Sequence, residues 1–545
     1  MVAVLAAVAL VASACRPSST GARQGGILRI GTSTGIDSLN PFVALQPDAY
    51  STFEYLYPYL VQYDTTNPDL PFAPDFARSW SVSPDGLVWT FHTVADARWS
   101  DGVALTANDV AWTFSTIRRL AGGPAVNLAG LLAHVRSVTA PNPTTVVVTY
   151  DRPVANALAD LQQIPILPQH VWGVPALHDG RLLRSVPNVP TIGHPVVSGG
   201  PFDLVQYRQG HFARFTRNPN FYGPAPRISG FYLEFYANDQ QLVAALQGGQ
   251  VDAVEGIPPT AVQGLRSAGF DVATRPGLEF RDLIFNSNPR KPRNRELLNP
   301  LVREAFEYAI DRQKILQDAW LGYGQVGGSI VPPATGAWND ASLQPLPYDP
   351  QRATQILDSL GYRMGPNGIR VAGGHPMSYQ VIFPEDESGP GNRAFQIIQS
   401  DLRLIGVQVT QRVASNAQAF ADISAPNGRY LDFDLAMWNW VPLEDPDFIL
   451  SVLTCGTYGS WNDTGYCSPQ YDRLYAEQAR TMNQAARRQI VDQMQQLVAA
   501  ARPYIVLAYN DVIDAWSAKW SGFVESNQGL FNPLSKQGLE QVHYG

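Results

Sequence analysis

Thiols are scarce in this 545-residue chain, which has 3 cysteines, at Cys15, Cys455 and Cys467. That is too few for a multi-bridge framework, and no His lies close enough to Cys455 and Cys467 to complete a metal-ligand set. The chain also lacks a C-x-x-C, a Walker loop and an H-E-x-x-H, and none of its 8 His residues lies three or four positions from another. No cofactor and no metal are therefore expected. Only 16% of residues are charged, the formal net charge is -8, and no Lys/Arg block occurs, so a nucleic-acid partner is not expected. Beyond the first residues, no apolar run approaches the ~20 needed to cross a bilayer as a helix. Aromatic residues are abundant, with 12 Trp and 23 Tyr, more than a core alone needs. The 45 Gly and 43 Pro are spread along the chain, the mark of an ordered protein with many turns.

Met1 to Ala14 is a run of small and apolar residues with the length of an export-signal core, too short to span a membrane. It ends Val11-Ala12-Ser13-Ala14 directly before Cys15, and Arg16-Pro17-Ser18-Ser19-Thr20-Gly21 follows. This resembles the lipobox of bacterial lipoproteins. The resemblance implies cleavage before Cys15, acylation of its thiol and new amine, and a polar tether through residue 25. Two or three acyl chains anchor stably where one is marginal. An ordinary secretory signal with an incidental cysteine is the competing reading. Because no Lys or Arg precedes the apolar run, a start a few residues upstream is expected. The body of the protein is then extracytoplasmic and lipid-anchored to the cell membrane. In that oxidising setting Cys455 and Cys467, which flank a turn-rich loop, are expected to pair; two reduced structural thiols are the alternative.

Roughly 520 residues remain after the signal, too many for one core and suited to two or three domains. Gly26 to Gly31 reads as a short strand. Trp80 to Ser83 and Leu87 to His92 read as strands joined by a turn at Pro84-Asp85-Gly86. Further strands are predicted at Thr144 to Tyr150 and Phe231 to Tyr236, with a helix at Asp239 to Gln247. The second half alternates helices and strands. Pro300 opens a helix with Leu301, Ala305, Ala309 and Leu316 near one face, and Asp349 caps another. The longest amphipathic stretch runs from Tyr475 to Leu497. The pattern is mixed α/β with at least two lobes and no internal repeat.

Two strings invite a chemical reading. Gly31-Thr32-Ser33-Thr34-Gly35 fits G-x-S-x-G, the nucleophile elbow of an exported serine hydrolase using Ser33. An elbow needs a helix directly after the serine, whereas Ile36 to Pro41 is turn chemistry, and no base or orienter assembles around it. The chain is therefore read as a non-enzyme. Trp99-Ser100-Asp101-Gly102-Val103-Ala104-Leu105-Thr106-Ala107-Asn108-Asp109-Val110 is the most distinctive string. It reads as a turn at Asp101-Gly102 and a helix capped by Thr106 with Asp109 completing a capping box.

That string closely resembles the W-S-D-G-x-x-[LF]-T-A-x-D-V signature of the peptide/nickel-type solute-binding proteins of bacterial ABC importers. Gly25 to Ile30, Leu39-Asn40-Pro41, Ile166 to Trp172, Ser198-Gly199-Gly200-Pro201-Phe202, Arg217 to Tyr222, Gly249 to Asp252, Ala309 to Arg312 and Tyr348-Asp349-Pro350 match in the family's order. The resemblance covers nearly the whole mature chain. It implies an α/β, two-lobed periplasmic-binding-protein type II fold with an extra β-rich subdomain on lobe I. The expected division is 1–14 signal, 15–25 tether, 26–58, 190–278 and 505–545 lobe I, 59–189 the β-rich subdomain, and 279–504 lobe II. It implies a monomer that closes on a peptide or other small solute and delivers it to a membrane permease. The candidate ligand contacts are Gln46, Trp438, Asn439, Trp440, Val441, Glu444 and Asp445. Strand alternation puts Phe433, Leu435 and Met437 on one face and Asp434, Ala436, Trp438 and Trp440 on the other. Either the two tryptophans await a ligand or they pack under the loop between Cys455 and Cys467. In peptide-binding relatives, main-chain groups near the position of Trp440 pair with the peptide as an added strand. Those relatives carry an aspartate three residues later for the peptide's amine. Here that position is Leu443, with Glu444 and Asp445 next, which also favours ligands without a free amine: blocked peptides, oligosaccharides, haem or a metal chelate.

Overall fold

A computed structural model describes residues 25–64, 72–385, 389–424, 433–527, 529 and 537–545. The expected signal, Cys15 and most of the tether lie outside the described residues. The first strand, β1 (Ile27–Thr32), forms where alternation drives Leu28 and Ile30 fully into a core. A separate four-stranded antiparallel sheet follows, made of β2 (Ala77–Val82), β3 (Val88–Thr93), β4 (Val135–Asn142) and β5 (Thr145–Tyr150) in the order β2-β3-β5-β4. At the predicted turn, Asp85 accepts from the Ser83 hydroxyl and the Leu87 amide, and Gly86 takes φ +72°.

The W-S-D-G string builds scaffold. Trp99 is fully buried, Gly102 adopts φ +87°, and Thr106 and Asp109 form the capping box of helix Ala107–Arg119. Val110, Phe114 and Ile117 are buried as their spacing requires. Asn40 ties the chain down likewise, donating to the carbonyls of Leu183 and Val186.

The principal sheet is continuous through both lobes. Besides β1 and a short strand, Gly324–Gln325, that pairs with Tyr509 and Asn510, its strands are β6 (Phe202–Arg208), β7 (Phe212–Arg217), β8 (Gly230–Phe235), β9 (Ala253–Val254), β10 (Phe270–Phe285), β11 (Ser378–Pro384), β12 (Gln408–Ala414), β13 (Leu435–Trp440) and β14 (Tyr504–Ser517). They run in the order β12-β11-β13-β10-β14-β9-β1-β8-β7-β6. The strands from β9 to β6 belong to the first lobe, those from β12 to β13 to the second. Between these two groups stand β10 and β14, paired antiparallel along most of their length. Their register breaks between Pro276 and Phe280 and again between Arg281 and Asp282. At the first break a Cβ on Gly277 would meet the Asn510 carbonyl at 2.6 Å, so this close crossing needs glycine. The broken ladder is where two rigid sheets can rotate about their shared strands.

Two predicted helical stripes are each divided in the structure. The stretch from Pro300 to Leu316 is helix Pro300–Ala309 and helix Arg312–Trp320, because Asp311 caps the second by accepting from Lys314 N–H. Leu301 consequently faces outward at 45% exposure while Val302 and Phe306 are buried. The stretch from Tyr475 to Leu497 is helix Pro469–Gln478 and helix Gln484–Ala501, separated by the Asn483 cap. Among the described residues, no helix is long and apolar enough to cross a membrane.

Candidate functional site

Helix Pro47–Leu56 lies against the first lobe's sheet with Ala49, Phe53 and Leu56 buried in the core. Its other face carries Asp48, Ser51, Thr52 and Tyr55, at the i, i+3, i+4, i+7 spacing that aligns side chains along one side of a helix. All four line a cavity of about 330 Å³ between the lobes. The first lobe also contributes the stacked rings of Phe215 and Phe231, with centroids 4.3 Å apart. Leu278, Glu279 and Val512 come from the crossing strands, and Val441 from the second lobe. A solute held here touches both lobes and the hinge, the requirement for a ligand that favours closure.

Asp48 sits in the first turn of its helix, where the helix dipole favours a negative group. Burial raises its carboxyl above the usual carboxylate range, opposed by hydrogen bonds from Thr34 and Thr32. Glu279 is held at the hinge by Asn439 Nδ2 at 2.8 Å, Arg281 at 2.9 Å and Asn510 Nδ2 at 3.3 Å. The predicted contact Asn439 is thus placed as a support for a cavity carboxylate. Val441, 57% exposed, lines the cavity itself. Gln46 is exposed just before helix Pro47–Leu56, its amide donating to Asp37, and does not line the cavity.

The two tryptophans stand on the predicted face, but the loop closed by the disulfide covers Trp440, while Trp438 is half-buried. Trp440 is 6% exposed, and its indole N–H donates to Asp463 at 3.0 Å. Its ring meets Phe448 and Trp461, and Trp438 leans on Phe420. Cys455 and Cys467 are joined in a disulfide that closes this loop. Asp463, fully buried and also bonded by the Tyr504 hydroxyl, has its carboxyl pushed up to about 7 by desolvation.

Glu444 and Asp445 lie in neither place. They line a second cavity of about 280 Å³ where Tyr63 and Trp80, from the β-rich side, face Trp338 and Met482 of the second lobe. Both Asp445 oxygens accept from Arg487, at 2.6 and 2.7 Å. That bidentate pair satisfies a buried charge internally and removes Asp445 from the interlobe cavity. Ser33, at the centre of the G-x-S-x-G run, donates to Asp239 at 2.7 Å, and a bend follows it where an elbow would need a helix.

One edge in this region is left open. β11 pairs with β13 only at Leu435 and Ala436, so from Met437 onward no described strand pairs with the outer edge of β13. The other edge stays bonded to β10 through Trp440. The signal that sequence reasoning missed is the polar stripe on helix Pro47–Leu56, whose spacing was visible but reads as an ordinary solvated face.

Comparison with known proteins agrees with this architecture. The chain is 25% identical over 513 residues to Protein XP55 of Streptomyces lividans, covering 93% of this chain and 88% of that one. It is 25% identical to the peptide transport periplasmic protein SapA of Salmonella typhimurium, covering 86% and 84%. The solved structure of the ABC transporter substrate-binding protein CtaP of Listeria monocytogenes superposes with a TM-score of 0.80 at 19% identity, covering 96% and 100%. The two-lobed arrangement is thus the type II periplasmic-binding-protein fold, with an additional β-rich sheet. Residues 71–460 match the model of the bacterial extracellular solute-binding proteins, family 5 Middle, and with most of its length so matched the chain belongs to that family.

Proposed function

We propose that this protein is the solute-binding component of an ABC importer, taking up peptide-like molecules between its lobes and handing them to a membrane permease. The observation that carries the reading is the edge of β13 that no described strand pairs from Met437 onward, on a strand that runs into Val441 in the cavity lining. Main-chain N–H and C=O groups there offer an extended peptide the same bonds a further strand would make, which tolerates varied side chains. The name of SapA, a peptide transport protein, supports the same ligand class. Family membership assigns capture and release in place of catalysis, and the Ser33–Asp239 bond is structural. Cys15, acylated after signal cleavage, keeps the receptor at the outer face of the membrane near its permease.

The absence of a free acid at Leu443, and the engagement of Asp445 by Arg487, speak against a fixed anchor for a peptide's free amine at that loop. Native mass spectrometry of the protein purified from its host tests the reading. Retained peptides, released intact on denaturation, support it; a retained sugar or haem, or a hydrolysed peptide, overturns it.

A further inference from the structure

We propose that the interlobe cavity selects a cationic solute with an apolar body and no free carboxylate, and that Asp48 reads the charge. The inference deepens the peptide reading and rests on it. Asp48, Glu255 and Glu279 all line the cavity, and no Lys, Arg or His stands among its described lining residues. Arg281 offsets Glu279, but Asp48 has no ion pair among the described residues, only the Thr32 hydroxyl at 3.4 Å and Thr34. A carboxylate half-buried without a countercharge gains most from a cation delivered by the ligand. An anionic ligand in the same place would meet like charge at short range in a poorly screened site.

A second, independent feature points to a ligand. Thr52 and Tyr55 are 1% and 3% exposed, yet neither hydroxyl has a hydrogen-bond partner among the described residues. Buried polar groups are nearly always paired, and leaving one unpaired is costly. Both line the cavity on the same helical face as Asp48, so a ligand N–H or C=O would complete them. Phe215, Phe231 and Leu233, also in the lining, with Phe231 edge-on to Tyr55, offer an apolar wall for the rest of the molecule. The helix thus presents one anion and two waiting hydroxyls to a solute the size of a short peptide.

Three blocked dipeptides that differ in one side chain test this by titration calorimetry on the full protein: N-acetyl-Phe-Arg amide, N-acetyl-Phe-Gln amide and N-acetyl-Phe-Glu amide. The Arg probe is expected to bind at least about tenfold tighter than the Gln probe, and the Glu probe weakest. Asp48→Asn is expected to bring the Arg and Gln probes within about threefold of each other. Tyr55→Phe is expected to weaken all three about three- to tenfold while the unliganded melting temperature holds or rises, since the lost hydroxyl bonded nothing. Equal affinities, or a charge preference that survives Asp48→Asn, overturn the inference and leave the peptide reading standing. A Tyr55→Phe variant that melts lower without ligand also overturns it. If no dipeptide binds but agmatine does, and loses affinity in Asp48→Asn, the peptide reading falls and this one survives. If none of the four binds, both fail.

Discussion

Replacing Asp463 by Asn should change how stability depends on pH, and in a calculable way. Asp463 is fully buried beneath the Cys455–Cys467 loop and accepts hydrogen bonds from Trp440 Nε1 and the Tyr504 hydroxyl. Desolvation, only partly opposed by those bonds, pushes its carboxyl from 3.8 up to about 7. The folded value exceeds the unfolded one, so between those limits the folded state holds a proton that the unfolded state has released. The contribution is therefore greatest at the acid end and is lost as pH rises through about 7. The slope is about 1.4 kcal/mol per pH unit, and a loss of about 2.5 kcal/mol accumulates between about pH 5 and about pH 8. Other buried carboxyls titrate too, so the informative quantity is the difference between variant and wild type. Asn copies the neutral acid, with one acceptor for Trp440 and one donor for Tyr504. Urea denaturation followed by tryptophan fluorescence should find the stability difference, variant minus wild type, larger by about 2.5 kcal/mol near pH 8 than near pH 5. A difference independent of pH would show that the native carboxyl is ionised throughout, and the reasoning would fail.

Three further outcomes follow from the same structure. Replacing both Cys455 and Cys467 by Ala opens a loop of sequence separation 12 and should cost about 3 kcal/mol in the chain-entropy model, read as a lower urea midpoint. Arg487→Met should cost about 3–5 kcal/mol, because it strands Asp445 beside Asp447, with Asp160 across the lobe junction repelled by both. The double variant Arg487→Met with Asp445→Asn should regain most of that loss; thermal melting decides, and no recovery would refute the charge argument. Cys15→Ser should move the protein from the membrane fraction to the soluble one, seen by fractionating the expressing cells.

Local chemistry was the most legible part of this chain. Turn residues at Asp85-Gly86, the Thr106–Asp109 capping box and the Asp349 cap act over three or four residues, and each formed as written. The alternation of β13 gave the faces of the strand residues, with Leu435 and Met437 in one core and Ala436 and Trp440 in the other; Phe433, expected beside Leu435, instead packs with Ala436 and Trp440 because it precedes the strand and does not share its alternation. What covers a face is a different kind of information. Asp463 lies 23 residues from Trp440, and no periodicity announces that its carboxyl takes the indole N–H. The same holds for Arg487, 42 residues beyond Asp445, which withdraws that acid from the cleft. The helix breaks at Asp311 and Asn483 were readable as caps, but apolar residues continuing at helical spacing masked them. The cavity stripe on Asp48, Thr52 and Tyr55 was hidden because polar residues at helical spacing ordinarily face water.

The position of β14 bears on the order in which the fold can assemble. This strand joins the sheet between β10 and β9, so among the described residues 504–517 alone link the two halves of the hydrogen-bond ladder. A ribosome must therefore finish almost the entire polypeptide before either half can complete its middle. Such distant pairing makes collapse to the native state slow.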